Sequence, residues 1–328
     1  MAFQTVNLEI YIYTGTSGSY TDSDLKYTLS KSLIGTDTNI MFEIGELVRD
    51  YITIDFNNDY LSNTIWVSTI ANHINDQGLL FDYGTPVINH YLAFDGYGYF
   101  EDEINPQLST NALITANTIY LPEDTAGKLP IFAEGVGKYI IDSTTTQVTD
   151  NGNSNQKIQY ITIPANSSVI KVYATDDTTL KKTINVFNVC EPKFTSYKVT
   201  FTNRMGVFQD VYFFKKSTES FNVTDETYKR NTVVNSSVTY STSDTQQQRY
   251  NTNAQKSITL NTGFINEDSN STIEELFLSE NVWIRYNNDT LPIIPKTKAM
   301  TFKTSVNDKL SNYTIDFDFA FNKINNVR

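Results

Sequence analysis

Between Tyr313 and Phe321 the chain places a large apolar side chain at every second position. Tyr313, Ile315, Phe317, Phe319 and Phe321 alternate with Thr314, Asp316, Asp318 and Ala320. Side chains of a strand point to opposite faces in turn, so this spacing makes a strand with one aromatic face and one mostly polar face. Just before it, Met300 and Phe302 alternate with Thr301 and Lys303, and Val306-Asn307-Asp308-Lys309 is polar enough to turn. The stretch Thr297–Phe321 therefore predicts an antiparallel hairpin with one dry face.

The same period recurs upstream. Val6, Leu8, Ile10 and Ile12 alternate with Asn7, Glu9, Tyr11 and Tyr13, and the turn Gly15–Gly18 leads to a second strand through Leu25, Tyr27 and Leu29. Ile44, Leu47, Val48 and Tyr51 follow a helical spacing instead, which predicts a short helical turn between strands despite Gly45. Further strands are expected at Ile65–Ile70, Tyr91–Phe94 (turning at Asp95-Gly96), Leu113–Leu121, Ile158–Ile163, Val169–Tyr173 and Thr183–Val189. Glu123–Gly137 reads as loop, and Ser143–Gln156 as an exposed tip.

After a boundary at Phe187–Lys193, Tyr197–Phe201 and Val211–Phe213 flank the turn Asn203–Gly206. Phe221–Tyr228 looks irregular, and the polar Asp244–Gln255 reads as a surface excursion. Ser271 and Glu274 have capping-box spacing ahead of a short helix through Ile273, Leu276 and Phe277. Val282–Tyr286 is a strand, and Pro292 and Pro295 shape the connection beyond it.

The predicted fold is mainly β. A fibronectin-III- or immunoglobulin-like β-sandwich region over residues 1–188 precedes a C-terminal antiparallel β domain, 189–328, carrying one short packed helix at about 271–280. The residues leave open whether 122–157 divides the first region again.

Composition excludes several functions. The net charge is −12 with no Lys/Arg block, so no nucleic-acid partner is expected. No apolar run reaches the roughly 18–20 residues of a membrane helix, and no membrane insertion is expected. The opening MAFQTVNLEIYIYTG reads as no signal peptide, and the single Cys190 fits folding in a reducing compartment. With no secretory signal, the N-x-S/T patterns beginning at Asn166, Asn222, Asn235, Asn270, Asn288 and Asn312 read as products of an Asn/Thr/Ser-rich composition.

Groups capable of chemistry are few. His73 and His90 have no metal-spaced partner, and no nucleophile-elbow, zincin, Walker or Rossmann pattern is present. Cys190 reads as a small apolar strand residue. Asp95 in a glycine turn and the run Glu101-Asp102-Glu103 lack the EF-hand pattern. Asp316 and Asp318 share one strand face, where charges discourage wrong pairing. No catalytic, cofactor-binding or metal-ligating residue is therefore expected, and the chain does not read as an enzyme. Two kinds of contact residue remain. Tyr212, Phe214, Tyr313, Phe317 and Phe319 are expected at subunit interfaces. Tyrosines that could stack on glycans are Tyr97 and Tyr99, with Tyr91 beside them, and Tyr11 and Tyr13.

The stretches FEIGELVRDYI (Phe42–Ile52), FDGYGYF (Phe94–Phe100), CEPKFTSYKVTFTNRMGVFQDVYFFKK (Cys190–Lys216) and NDKLSNYTIDFDFAF (Asn307–Phe321) resemble a family of virion proteins in tailed bacteriophages infecting Bacteroidota. The resemblance runs in order along most of the chain. It implies a structural part of a virion, in the tail tip or baseplate, assembling as a ring with copies of itself and other virion proteins. It carries over no functional residues. A head-fibre or receptor-binding module gripping host glycans is the alternative.

Overall fold

The computed structural model describes residues 5–34, 39–74, 86–103, 110–230, 241–297, 299, 301 and 310–324. The chain is mainly β, with several antiparallel sheets in a β-sandwich-like architecture. It forms two compact units. Unit 1 comprises Met1–Cys190, Thr200–Val211 and Asp268–Asn281; unit 2 comprises Glu191–Val199, Tyr212–Glu267 and Val282–Arg328. Two segments beyond residue 189 thus belong to the first unit. One contains the helix that was expected to cover the C-terminal sheet.

In unit 1, four strands lie in the order β2 (Leu25–Ser32), β1 (Thr5–Tyr13), β3 (Ile65–Ile74), β4 (Val87–Ala93). The alternation in β1 buries Leu8, Ile10 and Ile12 against Ile65, Val67 and Val48. Val48 comes from α1 (Gly45–Arg49), the helical turn that the spacing predicts. The opposite face is dry as well. Tyr11, Tyr13 and Trp66 cluster with Tyr20, so the first two tyrosines are core, not an exposed sugar platform.

A second sheet of unit 1 has the order β5 (Thr118–Pro122), β11 (Leu180–Val189), β10 (Val169–Tyr173), β7 (Lys138–Ile141), β8 (Thr144–Gln147). Its β5–β11 pairing is parallel. Leu113 precedes β5 and packs in a cluster with Ile158 and Val207. The segment read as a loop instead holds β6 (Gly127–Phe132), paired antiparallel with β9 (Ile158–Ile163). Pro130 is tolerated because this sheet has only two strands, both edges. The expected tip at 143–156 is likewise part structure. Thr144–Gln147 is an exposed edge strand, whereas Asn155 is buried and donates to the Thr64 carbonyl at 2.7 Å.

The remaining sheet has seven strands: β13 (Phe208–Phe213), β12 (Tyr197–Thr202), β16 (Val282–Tyr286), β17 (Asp289–Pro295), β18 (Leu310–Asn322), β15 (Gln247–Asn266), β14 (Thr218–Lys229). The alternation holds along β18. Tyr313, Ile315, Phe317 and Phe319 are buried, while Phe321 emerges into solvent. Phe317 meets Phe213 edge-on, with ring centroids 6.0 Å apart. The strand pairs with β15 and β17, and the hairpin partner expected around Met300 and Phe302, with its turn, lies outside the described residues. Pro292 and Pro295 sit within β17, not in a connection. The regions read as irregular or as a surface excursion are β14 and the first half of β15, a two-stranded ladder with one register shift at Thr224/Glu226. Helix α2 (Asn270–Leu278) begins at Ser269 without a side-chain cap. Ser271 donates to the Asp268 carbonyl, so the predicted capping box does not form.

Candidate functional site

A bend and a tight turn of unit 1 meet backbone to backbone. One is Asp95-Gly96 after β4; the other is Asn203–Gly206 between β12 and β13. Tyr97 N–H donates to the Arg204 carbonyl at 2.9 Å. Gly206 has φ +74°, and a Cβ there would stand 2.7 Å from the Asp95 backbone. Both facts demand glycine: the left-handed conformation and the close approach. Asn203, fully buried, pins its own turn. Its Nδ2 donates to the Leu113 carbonyl (2.7 Å) and Gln209 Oε1 (2.8 Å), and its Oδ1 accepts from Met205 N–H (3.0 Å).

Arg204 extends from this junction. Its guanidinium lies 4.2 Å from the Tyr99 ring centroid and pairs with Asp102 at 2.8 Å. Its backbone N–H donates to Glu275 Oε2 of α2 at 3.3 Å. Glu275 is almost wholly buried, and burial pushes its carboxyl pKa up against the opposing pull of Arg204. Nearby in unit 1, buried Lys182 donates to the Thr115 carbonyl at 3.0 Å, and desolvation lowers its pKa.

Beside the junction, α1 and the end of β4 enclose a cleft of about 650 Å³. Val48, Ile52 and Val67 contribute apolar lining; Glu43, Glu46, Arg49, Asp95 and Arg204 contribute charge, and Tyr91 and Tyr97 line it too. A smaller recess of about 220 Å³ shares Glu46, Arg49, Asp95 and Tyr97 and adds Asn203 and Glu280. Arg49 is fixed by Asp95 (2.9 Å) and Glu280 (2.6 Å). Its pKa is raised, first by the hydrogen bond to Asp95.

The tyrosines singled out for glycan contact divide. Tyr97 lines the cleft half-buried, and burial raises its pKa. Tyr99 does not line it; Arg204 covers its ring, and burial pushes its pKa up to about 12. Tyr91, 51% exposed, is the ring that the cleft offers to solvent.

The residues expected at subunit interfaces, Tyr212, Phe214, Tyr313, Phe317 and Phe319, are buried inside the chain's own core. Strand periodicity marks a dry face but does not say whether the cover is the same chain or another. One group of exposed apolar side chains lies on the β14–β15 ribbon. Every residue of β14 is exposed, including Phe221 (57%), Val223 (46%) and Tyr228 (46%), and Tyr250 of β15 is 47% exposed. The cross-strand register puts Phe221 and Val223 on one face and Tyr228 on the other, where its ring stands 5.6 Å from Tyr250. At the root, Lys256 pairs with Glu219 at 2.7 Å and lies 4.3 Å over the Tyr286 ring.

The other chemical groups fall into structural settings. His90 Nδ1 is 2.7 Å from Ser68 Oγ, which in turn contacts Tyr13 OH at 2.8 Å. Ser68 is 0% exposed, whereas His90 is exposed. His73 lies near the end of β3. Cys190 is exposed just past β11, not packed in a strand. Asp316 and Asp318 accept hydrogen bonds from Thr259 and Ser257 on β15. Glu101 and Asp102 lie in a 3-10 turn, with Glu103 at its end in the left-handed region. Among the described residues, no three His, Cys, Asp or Glu side chains are grouped to hold a metal ion, and no helix is long and apolar enough to cross a membrane.

Comparison with family models, with curated proteins and with solved structures finds no match to this chain.

Proposed function

We propose that this chain is a structural subunit of a tailed-phage virion, in the tail-tip or baseplate region, that assembles with copies of itself into a ring. The sequence resemblance supplies the context. The β14–β15 ribbon is the observation that carries the assembly reading. A two-stranded ribbon has little stability of its own in water, and this one exposes three aromatic rings and a valine on two faces. Rings about half exposed leave roughly 75–125 Å² each uncovered, with Phe221 and Val223 on one face and Tyr228 and Tyr250 on the other.

Charge favours a second copy as the cover. From Thr218 to Lys256 the acidic residues Glu219, Asp225, Glu226 and Asp244 are balanced by Lys229, Arg230, Arg249 and Lys256, while the whole chain carries −12. The ribbon is thus a neutral surface on an acidic protein, where copies meet without like-charge repulsion. A head-to-tail contact of this kind closes into a ring when its rotation allows.

Light scattering on the purified protein tests the reading. The wild type is expected as a defined oligomer, and the triple variant Phe221→Ser, Tyr228→Ser, Tyr250→Ser as a folded monomer. A monomeric wild type across the micromolar range would sink the assembly. Absence of the chain from purified particles by mass spectrometry would sink the virion placement.

A further inference from the structure

We infer that the cleft between α1 and the end of β4 is a binding site for a neutral saccharide, a role separate from assembly through the ribbon. Its volume of about 650 Å³ lies within the range of small-ligand pockets. Three properties select the ligand class. Apolar floor residues Val48, Ile52 and Val67, with the half-exposed ring of Tyr91 in the wall, suit the C–H face of a pyranose. Charged lining groups supply acceptors and donors for hydroxyls: Glu43, Glu46 and Asp95 on one side of the ledger, Arg49 and Arg204 on the other.

The sign of the charge then excludes acidic sugars. Arg49 is engaged by Asp95 and Glu280, and Arg204 by Asp102, so both guanidiniums are already neutralised. Glu43 and Glu46 add negative charge in a chain of net −12. A carboxylated or sulfated sugar would meet repulsion; a neutral one would not.

The site is also preformed. The Asp95-Gly96 segment of its wall rests on the Asn203–Gly206 turn at a separation that leaves no room for a Cβ. Arg49 is held by two ion pairs, so little side-chain entropy remains to be lost on binding.

The test is a printed array of neutral and acidic oligosaccharides, followed by calorimetry with the strongest hit. The wild type is expected to retain neutral oligosaccharides, and Tyr91→Ala to weaken the best of them by about tenfold or more, as loss of a stacking ring does. Phe100→Ala removes a fully exposed ring outside the cleft and is expected to bind as wild type. Retention of only acidic sugars, no retention at all, or equal losses in Tyr91→Ala and Phe100→Ala would each overturn the inference. The monomeric ribbon variant is expected to bind the sugar with unchanged affinity per site, which separates this outcome from that of the assembly test.

Discussion

Replacing Gly206 by alanine adds a single methyl group, and the surroundings of that methyl define its cost. The residue has φ +74°, a region that costs an L-residue about 1–2 kcal/mol. The new Cβ would lie 2.7 Å from the Asp95 carbonyl carbon and nitrogen and 2.8 Å from Gly96 N, all of them backbone atoms that cannot swing aside. Relieving the overlap must part the bend and the turn. That strains the packing by about 1–2 kcal/mol and weakens the Tyr97 N–H bond to Arg204, worth about 1 kcal/mol. The expected loss is about 3–5 kcal/mol. Gly152 provides the control, because it has φ +59° with nothing within 4 Å of its Cβ, so Gly152→Ala should lose only the conformational cost of about 1–2 kcal/mol. Urea unfolding followed by tryptophan fluorescence measures both. The chain has two tryptophans, Trp66 in unit 1 and Trp283 in unit 2, so a Trp283→Phe background makes Trp66 report unit 1 alone. Equal destabilisation by the two alanines would refute the account of the bend-to-turn junction.

Other expectations are shorter to state. Asn203→Ala orphans the buried Leu113 carbonyl and Met205 N–H and should destabilise unit 1 by about 3–5 kcal/mol in the same assay, whereas an exposed asparagine would cost a few tenths. Phe317→Ala empties a fully buried site in unit 2 and should cost about 3–5 kcal/mol, read through Trp283 in a Trp66→Phe background. Glu275 has its folded pKa raised above the ordinary value of 4.5, so the folded state holds its proton longer than the unfolded one does. Its contribution to stability is therefore greatest below pH 4.5 and is lost as pH rises through the raised pKa. Glu275→Gln should remove that slope from a series of unfolding curves between pH 4 and 8, and an unchanged slope would contradict the burial argument.

What the sequence disclosed follows from what strand periodicity encodes. Strands β1 and β18 announce themselves because each has a buried face set in alternation with polar positions, and α1 because Ile44, Leu47 and Val48 share one side of a helical turn. Strands β14 and the first half of β15 carry no such mark. Both of their faces are wet, and what holds them is the backbone ladder, which leaves no trace in side-chain order. The stretch Glu123–Gly137, read as loop, holds β6 with Pro130 inside it. The five buried rings assigned to interfaces show the same limit from the other side: hydrophobic spacing locates a dry face without naming its cover. The cleft was half legible. Tyr91 and Tyr97 stood out as an aromatic cluster, but Arg49 reaches Asp95 across 46 residues and Glu280 across 231, a convergence that no local pattern encodes.

Unit 1 is assembled from three separate pieces of chain, the last ending at Asn281. A ribosome making this protein releases Cys190 long before the helix that supplies Glu275 exists. At roughly 5–20 residues per second, the nascent first unit waits about 4–17 s after Cys190 with the place of Glu275 unfilled. A gene truncated at the apparent boundary near residue 190 would yield a permanently unfinished unit, insoluble or bound to chaperones. Expression trials on this protein should begin with the whole chain.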